Sequence, residues 1–317
     1  MGLPIVVGRY ADASIDDIWN GYAARTVRES ILDGSFSYCT QLCPHLMTKS
    51  GPVQRIGEVT DPEMRAVIDG NLTVLPNGPR IINAGWDDSC NLSYPSCRTT
   101  RIIQSNFTEI LNIQNKVEAE FADAHTLYIT GSGDPFGSPG FNRWLRTFDA
   151  SKWPKLKRIH LHTNAQLWSP RMWDRIADGA RVLIRSAEIS IDAATPETYA
   201  LNRRGGCFHR LLQNLEFISQ LRRSHVLDYI KISMVVQENN FHEMAKCVTL
   251  GEGLGADAVL FSQLVDWGTM AAHELVRRQV HFPEHPRHAE FVEQLRDAAL
   301  RHPIVDLGNL ARLVPKN

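Results

Sequence analysis

Short apolar runs alternate with longer amphipathic segments from residue 80 onward, and this alternation constrains the fold more than any other feature. Six runs rich in apolar and β-branched residues are typical of strands: RIINAGW (80–86), TLYIT (126–130), RIHLHT (158–163), AEISI (187–191), YIKISMVV (229–236) and AVLFSQL (258–264). Helical patterns lie between them, at about 105–121, 140–148, 170–178, 208–223 and 241–253. Strands that alternate with helices in this way form a parallel sheet covered by helices. The sequence therefore predicts an α/β fold, a partial (β/α)6 barrel resembling a TIM barrel.

The first 79 residues follow a different pattern. The segment SIDDIWNGYAARTVRESILDGSF predicts one helix that begins near Ser14 or Asp16 and ends around Asp33 and Gly34. A loop containing Cys39 and Cys43 follows, SYCTQLCPHLMTKSGP. We therefore divide the chain into a helical and loop extension (1–79), a barrel (80–310) and a short tail (311–317).

The bulk properties argue against several classes of protein. The net charge is −1, which does not favour a strongly electrostatic nucleic-acid binder. No apolar run approaches the roughly 20 residues needed to span a bilayer, and the N-terminus lacks the pattern of a signal peptide. We expect a cytoplasmic protein without a nucleic-acid or membrane partner. Its six cysteines are then thiols or metal ligands rather than disulfides. Among them, we expect Cys207 and Cys247 to be buried structural thiols.

Side chains that could bind a ligand or a metal ion follow the predicted strands. In barrels of parallel strands the reactive groups gather at the C-terminal strand ends. The candidates at these ends are Cys90, Cys97, Asp134, Thr163, Asn164, Ser190, Asp192 and Ser262. In the segment TGSGDPFGSP the glycines allow backbone amides to approach a ligand, and Asp134 offers a carboxylate to an amine or hydroxyl. Ser190 and Asp192 share one face of their strand because side chains alternate with period two.

Five segments together resemble the radical S-adenosylmethionine superfamily, and more narrowly its members with an accessory iron–sulfur SPASM segment. They are CNLSYPSC, TGSGDPF, HLHTN, SIDAATPETY and RRGGCFHRLLQNLEFI. In that family a C-x-x-x-C-x-x-C loop binds three irons of a [4Fe–4S] cluster through three thiolates, and S-adenosylmethionine chelates the fourth iron. The reduced cluster cleaves S-adenosylmethionine to a 5′-deoxyadenosyl radical. The resemblance implies this activity on a peptide or small metabolite, with an electron donor such as a flavodoxin or ferredoxin.

The resemblance also implies roles for individual residues. The cluster ligands would come from Cys90, Tyr94 and Cys97, with Cys39 and Cys43 in the territory of an accessory cluster within a truncated SPASM-like segment. The methionyl amino group of S-adenosylmethionine would contact the turn formed by Gly131, Ser132, Gly133, Asp134 and Pro135. Asn164, Ser190 and Asp192 lie where the family contacts the methionyl carboxylate or the ribose.

Tyr94 departs from the family pattern, because it stands where the second cysteine is expected. A phenolate is a harder donor than a thiolate, and a phenol is usually protonated at pH 7. Three interpretations remain open. The site has degenerated and no longer cleaves S-adenosylmethionine, or the substitution is tolerated by a working protein, or a Tyr-ligated or rearranged cluster forms.

Two other classes of function are compatible with the sequence. His160 and His162 share a strand face, and with Asp192 they could form the metal site of a barrel hydrolase. Alternatively, the chain is a non-catalytic binding module that keeps the barrel and has lost the cluster. A zinc site formed by Cys39, Cys43, Cys90 and Cys97 is the metal-bearing version of that module.

Overall fold

A computed structural model of the protein describes residues 5–10, 12–39 and 55–315. These residues form two compact units. The first takes the residues up to Arg80 together with Ile113–Ala124 and Lys152–Lys155. The second takes Ile81–Asn112, His125–Ser151 and the residues from Leu156 onward. None of the helices in the described ranges combines the length and apolarity needed to cross a membrane.

The N-terminal segment that we expected to form one helix forms two, α1 (Ile15–Trp19) and α2 (Tyr22–Leu32). The start was correctly predicted, because Ser14 caps α1 and exchanges hydrogen bonds with Asp17 in a capping box. The expectation of a single helix was wrong at Gly21, where a Cβ atom would collide with the backbone carbonyl oxygen of Asp17. Glycine at this position lets the chain change direction between the two helices.

Seven parallel strands form one sheet in the described part of the chain, in the order β1 to β7. The strands are β1 (Ile81–Ala84), β2 (Thr126–Ile129), β3 (Arg158–Thr163), β4 (Ile184–Ser190), β5 (Tyr229–Val236), β6 (Ala258–Gln263) and β7 (Val305–Asp306). The predicted parallel α/β fold is confirmed, and all six predicted strands are present. The seventh strand has two residues and is too short to produce a recognisable sequence pattern.

Helices connect the strands, as expected for parallel pairing. After α1 and α2, the further α-helices are α3 (Pro62–Asp69), α4 (Phe107–Glu120), α5 (Pro139–Arg146), α6 (Pro170–Trp173), α7 (Asp178–Leu183), α8 (Pro196–Asn202), α9 (Phe208–Arg223), α10 (Met244–Leu254), α11 (Ala272–Arg278) and α12 (His288–Gln294). Short 3-10 helices lie at Ile56–Glu58, Ala150–Lys152, Phe241–Glu243, Ala298–Arg301 and Gly308–Leu313. The pattern predicted over 170–178 is two short helices, α6 and α7.

The strands bury alternate side chains, so the two faces of the sheet differ in chemistry. In β5 the residues Ile230, Ile232, Met234 and Val236 are buried, and the residues between them are only partly buried. The apolar face supplies most of the core, which is the main source of stability in such a layered fold.

The two cysteines on or beside helices differ in exposure. Cys247 on α10 is fully buried, as expected. Cys207 precedes α9 and is exposed, so the expectation was wrong for this residue.

Candidate functional site

The loop after β1 holds Cys90 in a buried position with its thiol already hydrogen-bonded. Its backbone amide donates to the carbonyl oxygen of Ile102 at 2.9 Å. Its Sγ accepts from the amide of Leu92 at 3.5 Å and from Nδ2 of Asn164 at 3.6 Å. Burial raises the pKa of the Cys90 thiol, and the negative charge of Asp134 adds to this effect. The thiol is therefore protonated at neutral pH while no metal is bound, and a metal ion would have to displace this proton.

Tyr94 belongs to a tight turn that also contains Cys97. Its carbonyl oxygen accepts from the amides of Cys97 and Arg98 at 3.0 and 2.8 Å, and its own amide donates to the carbonyl oxygen of Arg98 at 3.1 Å. Burial raises the pKa of the Tyr94 phenol above its ordinary value, although the positive charge of Arg203 acts in the opposite direction. A neutral phenol in this turn is a poor iron ligand.

Arg203 follows α8 and lies against Tyr94. Its guanidinium carbon is 4.2 Å from the centroid of the Tyr94 ring. Its Nη2 is 2.7 Å from Oδ2 of Asp192, and both side chains are 2% exposed. The other carboxylate oxygen of Asp192 accepts from the amide of Val235 at 2.8 Å. Both oxygens of the Asp192 carboxylate thus face protein groups.

Arg98 connects this loop to the glycine-rich turn after β2. Its guanidinium donates to the carbonyl oxygens of Asp88 and Ser132 and, at 3.6 Å, to Sγ of Cys97. Arg98 is buried. A buried cation thus occupies the space between Cys97 and the glycine-rich turn.

The glycine-rich turn packs closely on the loop after β1. Oγ1 of Thr130 accepts from the amides of Ser132 and Gly133 at 2.9 and 2.8 Å. A Cβ atom at Gly133 would lie 2.5 Å from the carbonyl oxygen of Asp87 and 2.6 Å from that of Ser89. Only glycine permits this approach.

The carboxylate of Asp134 is saturated by hydrogen bonds within the protein. It accepts from Oγ1 of Thr163 at 2.7 Å and from the amides of Phe136, Gly137 and Asn164 at 3.0, 2.9 and 2.9 Å. Two carboxylate oxygens offer about four acceptor sites. The side chain of Asp134 therefore joins the ends of β2 and β3 rather than presenting a free acceptor to a ligand.

Eight residues that the sequence analysis named, together with Arg203, surround one small cavity. Its volume is about 20 Å³, and it is lined by Cys90, Tyr94, Gly131, Gly133, His162, Thr163, Asn164, Ser190 and Arg203. That volume accommodates about one water molecule. Ser132, Pro135, Cys97 and Asp192 do not line it. Cys39 belongs to the other compact unit, and Cys43 lies outside the described residues.

The donor set does not fit a cluster held by three cysteines. One thiol, that of Cys90, and the phenol of Tyr94 border a space of about 20 Å³, and Cys97 does not line it. Among the residues that the structure describes, no three His, Cys, Asp or Glu side chains are arranged to hold a metal ion.

The pair His160 and His162 lies on the concave face of β3. Nδ1 of His160 is 2.9 Å from Oγ of Ser186, and Nε2 of His162 is 2.9 Å from Oγ of Ser190. Asp192, the expected third ligand of a hydrolase, is ion-paired with Arg203. The geometry therefore does not support a metal-dependent hydrolase.

Sequence reasoning missed Arg203 and Arg98 as parts of this site. Arg203 lies in the run RRGGCF, where no periodicity marks a buried cation. Arg98 immediately follows Cys97, and a basic residue beside a cysteine is a signal that could have found it.

No protein-family model matches the chain, and no curated protein matches it in sequence. Among solved structures, Streptococcus suis SuiB bound to S-adenosylmethionine aligns with a TM-score of 0.46 and 14% identity, over 65% of this chain and 45% of SuiB. SuiB bound to the precursor peptide SuiA aligns with a TM-score of 0.45 and 14% identity, over 79% of this chain and 55% of SuiB. The radical S-adenosylmethionine methyltransferase TsrM from Kitasatospora setae, with cobalamin and a [4Fe–4S] cluster bound, aligns with a TM-score of 0.41 and 15% identity. This alignment covers 55% of this chain and 35% of TsrM. The chain thus spans about half the length of SuiB.

Proposed function

We propose that the chain is a barrel of the radical S-adenosylmethionine type that does not assemble the cysteine-ligated [4Fe–4S] cluster. In this proposal it binds a small molecule or peptide and does not cleave S-adenosylmethionine. The observation that carries the proposal is the position of Tyr94, whose ring lies under the buried guanidinium of Arg203 at 4.2 Å. A cluster of the family type requires a third thiolate at that place.

The surroundings of Tyr94 support the same conclusion. The cavity beside the Cys90 thiol has a volume of about 20 Å³, and Cys97 does not line it. Asn164 and Ser190, to which the family resemblance assigns contacts with S-adenosylmethionine, line this cavity. A protein without the cluster also needs no flavodoxin or ferredoxin as electron donor.

Metal analysis tests this proposal. The protein is reconstituted anaerobically with iron and sulfide, and iron, sulfide and zinc are measured per chain. EPR spectra of the reduced sample are recorded with and without S-adenosylmethionine, and 5′-deoxyadenosine is assayed. We expect fewer than one iron per chain and no 5′-deoxyadenosine. About four irons per chain, with an EPR signal that changes on adding S-adenosylmethionine, would overturn the proposal.

Zinc content separates the two forms of the binding module. One zinc per chain that requires Cys39, Cys43, Cys90 and Cys97 would support the zinc-bearing version. Absence of both metals would support the metal-free version.

A further inference from the structure

The concave face of the sheet carries polar side chains where parallel barrels usually carry branched apolar ones. The strand register aligns them in two layers. The first layer is Tyr128, His160, Ser186 and Tyr229. The second layer is His162, Glu188 and Lys231. His160 and Ser186 are buried, and the other five side chains are partly buried or exposed. Buried polar groups are unfavourable unless partners satisfy them.

These layers line a cavity of about 370 Å³, which also contacts Asn83 and Arg158. Its volume lies within the range of small-molecule sites. It shares His162 and Gly131 with the small cavity beside Cys90, and most of the rest of its wall comes from side chains on β1 to β5. The large cavity therefore adjoins the predicted cluster site, but Cys90, Tyr94 and Cys97 do not line it.

Glu188 and Lys231 form an ion pair in the wall of this cavity, and Arg158 is the third charged residue of the lining. Nζ of Lys231 is 2.5 Å from Oε2 of Glu188, and Arg158 lies 3.7 Å from Asp228. Burial opposes ionisation of Glu188, but the influence of His162 and Lys231 outweighs it and lowers the pKa of the carboxyl group. Glu188 is therefore ionised at neutral pH and is paired with Lys231. The remaining charged group of the lining, Arg158, has a side chain that is 46% exposed, so solvent and salt screen it.

The two imidazoles supply neutral hydrogen-bonding groups. Burial lowers the pKa of His160 to about 4 and also lowers that of His162, so both rings are uncharged at neutral pH. One nitrogen of each ring contacts a serine hydroxyl. In the described part of the chain the second nitrogen of each makes no hydrogen bond. A neutral imidazole can use that nitrogen as a donor or an acceptor, depending on its tautomer.

We propose that this cavity binds an uncharged, polyhydroxylated molecule of about monosaccharide size. Hydroxyl groups can donate to and accept from the imidazoles, Ser186 and the Glu188–Lys231 pair without changing the charge balance. Tyr128, which is 40% exposed and packs against His160 at 4.8 Å between ring centroids, offers an aromatic face to the apolar side of a sugar ring. An anion would face Glu188 and a cation would face Lys231, each at a distance where like charges repel.

This inference rests on the proposed function, since it names the ligand class of the cluster-free barrel. Isothermal titration calorimetry with D-glucose, D-galactose, D-mannose and myo-inositol tests it, with inorganic phosphate and putrescine as charged comparators. We expect at least one polyol to bind with a Kd of about 1 mM or lower, and phosphate and putrescine to bind more weakly.

Two variants of the cavity and one control sharpen the test. We expect Ser186→Ala and Lys231→Met each to weaken polyol binding about fivefold or more. Ser151→Ala removes an exposed hydroxyl outside the cavity and should leave Kd unchanged. Circular dichroism checks that the variants fold. The inference fails if no polyol produces heat, if a charged probe binds more tightly, or if both cavity variants bind as the parent does. Iron analysis of the same preparation decides the proposed function separately.

Discussion

The guanidinium of Arg203 stacks on the ring of Tyr94 and forms a buried ion pair with Asp192. Such a cation is held by the ring face and by the carboxylate together. Because both charged side chains are only 2% exposed, removal of either leaves an uncompensated charge in the protein interior.

Arg203→Met should therefore destabilise the protein strongly. We expect the free energy of unfolding, measured by urea denaturation, to fall by about 3–5 kcal/mol. Arg223→Met breaks the exposed pair with Glu216, in which both side chains are more than half exposed, and should cost less than about 1 kcal/mol. Equal losses in the two variants would contradict the buried pair.

Tyr94→Cys should restore iron binding if a missing thiolate is what prevents cluster assembly. We expect iron per chain after anaerobic reconstitution to rise about threefold or more, because a third soft ligand joins Cys90 and Cys97. Tyr94→Ala makes the same space without a thiol and should stay at the parent level. If Tyr94→Cys binds no more iron than Tyr94→Ala, the loop is not a cluster loop damaged at this residue.

Asp134→Asn should act on stability, because the carboxylate accepts four hydrogen bonds within the protein. An amide group places a donor where one oxygen accepts, so at least two buried donors lose their acceptor. We expect a loss of about 2–4 kcal/mol in unfolding free energy by urea denaturation. Asp33→Asn, at a carboxylate that accepts from the amide of Ser35 in an exposed turn, should change it by less than about 1 kcal/mol. An unchanged stability in Asp134→Asn would show that the four bonds do not hold the site.

His160 should make stability depend on pH in the acidic range. Its pKa lies at about 4 instead of 6.5, chiefly because the ring is buried. As the pH falls below about 6.5, the unfolded chain takes up a proton that the folded protein accepts only near pH 4, so protonation favours unfolding. We expect stability to fall between about pH 6.5 and about pH 4, with up to about 3 kcal/mol from this residue.

The comparison of the parent with His160→Gln isolates that contribution. Urea denaturation of both proteins at several values between about pH 7 and about pH 4 gives the difference. The parent should lose more stability on acidification than the variant. Parallel pH profiles would mean that His160 titrates alike in the folded and unfolded chains.

The sequence predicted the strands well because each carries a clear local pattern. In β5, YIKISMVV alternates in a way that already separates Tyr229, Lys231 and Ser233 from the apolar residues between them. The alternation does not say which face is concave, so the polar cavity could not be assigned from it. The seventh strand, with two residues, lacked any pattern, and Gly21 interrupted a helix whose apolar periodicity continues on both sides.

The sequence predicted that the residues at the strand ends lie together, but it did not predict the hydrogen bonds and ion pairs among them. Parallel strands bring their C-terminal ends together, which places Asp134 beside Thr163 and Asn164 as expected. The sequence could not show that Thr163 and Asn164 would donate hydrogen bonds to the carboxylate of Asp134. The approach of Arg203 to Tyr94 depends on tertiary packing between distant segments, and no local pattern encodes such a contact.

The close approach of Gly133 to the carbonyl oxygens of Asp87 and Ser89 has a consequence for protein engineering. The two loops are complementary in shape at this contact, so neither can be exchanged by itself. A designer who wishes to change the backbone of either loop should exchange the segments 85–98 and 130–138 together. A residue with a Cβ atom at position 133, for example, would require the backbone at Asp87 and Ser89 to move with it.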